Sequence, residues 1–235
     1  PSFSGVKPVA ESLDRADRGG GLNTRELLTI ADLLTAARRT REYFNDEAEE
    51  KTVLDGLFLS LKGNRFLEEK IKRCIVGYDE VADDASPTLK DIRRHINQAN
   101  LQIQRTLNSI VTSQSMKTYL QDSVVTQRNG RYCIPVKLEH KNHVPGLVHD
   151  QSGSGSTVFI EPMSVVKLNN ELKELAAAEE NEIQVILSKL SLSASIESDA
   201  LEMNYKMLTK LDMILTKARY SEKIRGNAPE FNEKG

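Results

Sequence analysis

Four long cationic side chains, Arg128, Arg131, Lys137 and Lys141, gather in one short stretch otherwise rich in β-branched and small residues. Guanidinium and ammonium groups so spaced are suited to neutralising backbone phosphates, contacts that supply affinity without reading base sequence. Between residues 124 and 160 only Glu139 and Asp150 oppose them, so this stretch carries a formal +2 inside a chain whose formal net charge is −2. The same four cations could equally keep a small β element soluble and its edges unpaired, and charge alone does not choose between the two readings. His140, His143 and His149 crowd the same stretch and, with Asp150 or Cys133, could in principle ligate zinc. Their spacing matches no closed zinc module, and they read as solvated or phosphate-facing loop histidines. Gly153-Ser154-Gly155-Ser156 lacks the G-x-S-x-G spacing of a nucleophile elbow and reads as a mobile loop between strands. Cys133, in an alternating apolar run, reads as a buried small hydrophobe.

The rest of the chain must position that stretch. Its 235 residues are 39% hydrophobic and 28% charged, with 5% aromatics and no Trp, a balance that favours long helices over a β-sandwich. The near-neutral total excludes nucleic-acid binding by bulk attraction, so any such role falls to a local patch. The two cysteines, Cys74 and Cys133, form no C-x-x-C pair, which fits a reducing cytoplasm. No apolar run approaches the roughly 20 residues needed to cross a bilayer, so no membrane partner is expected. No G-x-x-x-x-G-K-[ST] phosphate loop occurs, and nucleotide hydrolysis by this piece is not expected. A start at Pro1 without an initiator Met and an end at Glu233-Lys234-Gly235 read as the bounds of a piece of a longer protein.

Periodicity and punctuation divide the chain into segments. Residues 1–85 read as short helices: Val6 to Arg18, a helix restarted by Asn23 with Glu26 as a capping box, then Glu47 to Leu61 and Asn64 to Val76. Ser86-Pro87 opens a long helix to about Leu120, roughly 50 Å, with Leu89, Ile92, Ile96, Ala99, Ile103, Thr106 and Ile110 as a coiled-coil seam. From Ser123 the period switches to two, in runs Val124-Val125, Tyr132 to Val136, Gly146 to Val148 and Thr157 to Ile160, with Asn129-Gly130 as a type I′ hairpin turn. Helical periodicity resumes after Pro162 and lasts to about Arg225, with a bend expected in the serine-rich stretch Ser188 to Ser198.

The runs Gln127-Arg128-Asn129-Gly130-Arg131-Tyr132-Cys133-Ile134-Pro135-Val136-Lys137 and Gly146-Leu147-Val148-His149-Asp150-Gln151-Ser152-Gly153-Ser154-Gly155-Ser156-Thr157-Val158-Phe159-Ile160-Glu161-Pro162 resemble the clamp segment of type II MutS proteins. Val165 to Leu172, Asp84 to Pro87 and Leu27 to Leu34 extend the likeness to nearly the whole chain.

The resemblance implies a mainly α fold: a helical core (1–85), long antiparallel coiled-coil lever helices (86–122 and 163–226), and a small inserted antiparallel β clamp (123–162) at their tip. Residues 227–235 would lead to an absent ATPase domain that binds ATP and Mg, with no cofactor in this fragment. It further implies a bacterial cytoplasmic homodimer whose ATP-driven levers close the clamps on branched or duplex DNA and suppress homologous recombination, with a C-terminal endonuclease module in many members. A ribosome-docking rescue factor contacting ribosomal RNA is the alternative, and a coiled-coil adaptor the third reading. Arg128, Arg131, Lys137, Lys141 and His143 are the residues expected to face phosphate, whereas Glu161, Pro162, Asn169 and Asn170 are read as hairpin and return-helix geometry. No catalytic residue and no metal site is expected.

Overall fold

The computed structural model describes residue 3, residues 5–44 and residues 52–226. The chain divides into two compact units, Pro1–Ala85 with Val185–Gly235, and Ser86–Gln184. It is mainly α, with long helices and two small antiparallel sheets.

The first unit is helical. Helix α1 spans Ala10–Asp17, α2 Thr24–Tyr43, α3 Asp55–Leu59 and α4 Arg65–Cys74. A two-stranded ribbon follows, β1 at Ile75–Gly77 and β2 at Glu80–Val81. The capping box expected at Asn23 is present: its side chain accepts from the Glu26 amide, and the Glu26 carboxylate accepts from the Asn23 amide. Asn64 caps α4 in the same way through the Leu67 amide. The proposed helix from Glu47 is described only from residue 52 onward, where α3 forms its last part.

Leu27, Ile30, Ala31, Leu33, Leu34 and Ala37 bury one side of α2, which packs against α4 and, later in the chain, α7 (Ser198–Ile224). That last helix is separate from α6 (Met163–Ile196), because the backbone breaks at Glu197 where the serine run ends. The serines act as anchors: Ser191 donates to Leu187 O and accepts the Leu22 amide, and Ser195 donates to Asp17. Asn204, fully buried, accepts the Lys62 amide at 2.8 Å and donates to the Lys62 carbonyl at 2.7 Å.

The second unit pairs helices with a four-stranded sheet. Helix α5 (Pro87–Thr112) starts on a Ser86 cap with Pro at its first turn, as the sequence implies. It runs antiparallel to the first part of α6: Ser86 donates to Glu182 at 2.7 Å, and Arg93, about two turns further on, pairs with Glu179 at 2.7 Å.

Two expectations for α5 are corrected. The helix ends at Thr112 rather than near Leu120, so its 26 residues span roughly 39 Å. Ser109 and Thr112 hydroxyls bond back to the Thr106 and Asn108 carbonyls, the competition that weakens helix ends, and Ser113 is extended. The chain then turns so that buried Leu120 bridges Val136 in the sheet. The buried positions are Leu89, Ala99, Ile103, Leu107 and Val111, the last four spaced by four, so the expected seam holds at Leu89, Ala99 and Ile103 and then passes through Leu107 and Val111 in place of Thr106 and Ile110. A straight helix with 3.6 residues per turn drifts off a heptad line in this way.

The sheet contains β3 (Thr126–Arg128), β4 (Arg131–Lys137), β5 (Gly146–Gln151) and β6 (Thr157–Pro162), in the order β3-β4-β6-β5. Asn129 (φ 51°) and Gly130 (φ 73°) both take positive φ, the requirement of the type I′ turn. The first strand is thus Thr126–Arg128, beside the turn, and not Val124-Val125, because the turn fixes the register at Arg128↔Arg131. One face of the sheet closes on the helix ends, where Ile134, Val136, Val158 and Ile160 pack with Ile103, Leu107, Val111 and Val165. At Gly146 a Cβ would stand 2.3 Å from the Glu161 carbonyl oxygen, so β5 can approach β6 this closely only with glycine there.

In the first unit Glu68 is almost buried, and Arg38, Lys72 and Thr35 all reach its carboxylate. Burial alone would raise its pKa, but hydrogen bonds from Arg38, Thr35 and Lys72 outweigh that cost and bring it down to about 2. A depressed carboxyl stabilises the fold fully above the ordinary pKa near 4.5, and that contribution is lost as pH falls toward 2. Glu68→Gln is expected to cost about 2 kcal/mol at neutral pH. Urea titrations should find the gap between variant and wild type closing between pH 4.5 and pH 2.

Candidate nucleic-acid interface

The second face of the sheet decides where the candidate cations go. All six residues of β6 are buried, and so are Cys133 to Val136 of β4, which means that both faces of the central strands are covered. Helix ends cover one face. On the other, Pro135 lies opposite Phe159, and the Arg128 guanidinium sits 4.0 Å above the Phe159 ring while pairing with Asp150 at 3.2 Å. Cys133 is shut in beneath, and burial, helped by the nearby Glu161 carboxylate, pushes its thiol up to about 11. A thiol held that high is inert at neutral pH.

Glu161 is the centre of this face. Its side chain is completely buried (0% exposed), yet three elements supply donors to it. Arg131 in β4 reaches both carboxylate oxygens, at 2.8 and 3.1 Å, and forks onward to Asn170 at 2.6 Å. Asn169 in α6 donates at 2.8 Å, and His149 in β5 donates through Nε2. His149 can do so because β5 slips register between Val148 and Asp150, a bulge that re-aims one side chain. Asn169 also pairs with both backbone polar groups of Tyr132, at 3.2 Å each, while the Tyr132 hydroxyl donates to Asn100 of α5 at 2.9 Å.

The five residues expected to face phosphate therefore separate. Arg131 is turned inward onto Glu161 and Asn170. Arg128 is half-exposed and shared between a ring and a carboxylate. Lys137 extends its amine to the Thr118 carbonyl at 3.2 Å, at an exposed position. Lys141 is exposed, with no carboxylate in ion-pair reach among the described residues. His143 is exposed and stacks on Tyr119, with ring centroids 5.0 Å apart. Lys137, Lys141 and His143 lie at or within the single 3-10 segment Leu138–His143 that joins β4 to β5.

Glu161, Pro162, Asn169 and Asn170 do have structural roles, but Glu161 and Pro162 close β6 and do not start the return helix. The signal for Glu161 as a buried hub was its parity: it falls on the Phe159 side of an apolar strand, where a lone carboxylate needs a cation such as Arg131 across the sheet. Tyr119 has no sequence signal of its own, since its spacing continues the periodicity of α5, whereas in the structure it lies beyond the helix end and packs against the sheet core. His140 and His143 pack together on Tyr119 while His149 turns to Glu161, and no group of three or more His, Cys, Asp or Glu is placed to hold a metal ion among the described residues. No helix among them is long and apolar enough to cross a membrane.

An antiparallel helix pair bearing a small β clamp, with a cationic connection on its surface, is the class of module that Ser86–Gln184 forms. No family model matches the chain. The chain is similar over its whole length to curated proteins named Endonuclease MutS2, at 48% identity to that of Agathobacter rectalis and 45% to that of Ruminiclostridium cellulolyticum. To that of Lachnoclostridium phytofermentans it is 44% identical over 99% of the chain. The chain belongs to the type II MutS family, and it spans about 30% of the length of these relatives.

Breaking a buried ion pair from one side leaves an uncompensated charge, so Arg131→Met is expected to destabilise the fold by about 3 kcal/mol. Glu161→Gln in the same chain should restore part of that loss, since a neutral amide no longer needs the guanidinium. Chemical denaturation measures both. In a Cys74→Ala background, faster labelling of Cys133 by a thiol reagent in Arg131→Met would report the same opening.

Proposed function

We propose that this chain is the core, lever and clamp region of a type II MutS protein, and that its β clamp grips the phosphate backbone of branched or duplex DNA. The observation that carries the reading is the surface segment 137–143. There Lys137, Lys141 and His143 stay outward while Arg131 and, in part, Arg128 are spent on the fold. Cations that hold no internal carboxylate keep their full charge for a polyanion, and a few such contacts supply affinity without sequence preference.

The parent protein, in this reading, is a cytoplasmic homodimer whose ATPase domain binds ATP and Mg and closes the clamps, suppressing homologous recombination. An endonuclease activity belongs to that parent, in keeping with the names of the relatives. This fragment supplies grip, with no catalytic group of its own. Ribosomal RNA offers the same phosphates, so stalled ribosomes are the competing partner.

Reversing Arg128 and Arg131 would damage the sheet, so it does not isolate a phosphate contact. Lys137→Ala with Lys141→Ala is the cleaner pair. Anisotropy titrations of a four-way junction are expected to give affinity about tenfold lower near 0.1 M salt, and a slope of log affinity against log salt shallower by about 2. An unaltered slope would remove the segment from the interface. Prior saturation by stalled ribosomes but not by junction DNA would favour the ribosomal partner.

A further inference from the structure

Phosphate grip accounts for the lysines of segment 137–143 but not for the rings beside them. Tyr119 and His143 lie nearly parallel, 17° between planes with centroids 5.0 Å apart, and His140 closes the group at 5.2 Å from Tyr119 and 5.6 Å from His143. The three rings come from two places in the chain, the turn after α5 and the 3-10 segment after β4. Both are fixed. The Tyr119 carbonyl accepts the Lys137 amide at 2.9 Å, the next residue Leu120 is buried in the sheet core, and the Leu138 amide is held by Ser156. Val144, buried at 5% exposure, pins the other end of the segment.

Tyr119 is half-buried and packs against the sheet core, whereas His143 is exposed. His143 is therefore the outer plate of a two-ring stack whose inner plate is already anchored. Rings held in this way have little rotamer freedom left to lose when a third planar group is added. Lys137 and Lys141 flank His140 in sequence and precede His143 on the same segment, and the Glu139 carboxylate stands 3.5 Å from His140. A flat aromatic plate flanked by cations fits one chemical class of ligand well: a nucleobase that is not stacked on neighbours in a duplex, still joined to its phosphates.

We infer that Tyr119 and His143 form a stacking platform for an unpaired nucleobase, with Lys137 and Lys141 on the adjoining phosphates. The inference rests on the clamp being a nucleic-acid grip, and it adds what that grip discriminates. A fully paired duplex offers phosphates only. A fork, flap or gapped strand offers phosphates and a free base face.

The test compares two DNA probes with this chain: a blunt duplex, and the same duplex extended by a single-stranded tail carrying 2-aminopurine, whose fluorescence falls when it stacks. The wild type is expected to favour the tailed probe and to quench the tail. His143→Ala should lower the ratio of tailed to blunt affinity by about tenfold and abolish the quenching, whereas His143→Phe should preserve both. A ratio and quench unchanged in His143→Ala, or a loss shared equally by both probes, would overturn the platform. If the wild type binds neither probe, the grip itself is refuted and the platform falls with it; binding to both probes without preference refutes the platform alone.

Discussion

A carboxylate with no access to water costs several kcal/mol unless charge and hydrogen bonds replace its hydration. Glu161 is such a group, and the second unit is organised around satisfying it. Its donors come from β4, from a bulge in β5 and from α6, so sheet pairing, bulge position and helix register must all be right together. An alternative register of β4 would take Arg131 to the opposite face of the sheet and leave the charge alone. Demands of this kind penalise near-native arrangements more than they deepen the native one, which suits a small sheet that could otherwise pair in several ways.

The same demand explains why the cations divide. Four basic residues within a short stretch look equivalent as charges, but a neighbour's carboxylate at the right parity removes Arg131 from the surface, and an aromatic ring with Asp150 claims much of Arg128. What remains outward is a compact set on one connection, in a chain that is nearly neutral overall. Phosphate affinity built on so few contacts would be weak and sensitive to salt.

Local chemistry was legible wherever a few neighbouring residues decide the backbone. Asn23 with Glu26, Ser86 before Pro87, and Asn129-Gly130 each dictate a cap or turn from adjacent side chains, and each is found in place. The helix break beside the serine run belongs to the same class. The end of α5 was harder, since apolar residues continue past Thr112: Met116, Tyr119 and Leu120 sustain a helical spacing while packing against the sheet instead. Which cations face outward depends on pairings between residues 12 to 39 positions apart, such as His149 with Glu161 and Arg131 with Asn170. Such pairings follow from the strand order, which composition and spacing alone leave open.

Asn169 holds Tyr132 by both its amide and its carbonyl, as a neighbouring strand would, and Asn204 holds Lys62 in the same fashion. A single hydrogen bond is a pivot; two parallel ones are a key in a slot. With Asn169 keyed to β4, α6 cannot roll about its own axis without dragging the hairpin along, because a turn of even one residue would strip both bonds at once. Torque applied to this end of the helix must therefore arrive at the hairpin as rigid rotation, with no slack absorbed at the joint.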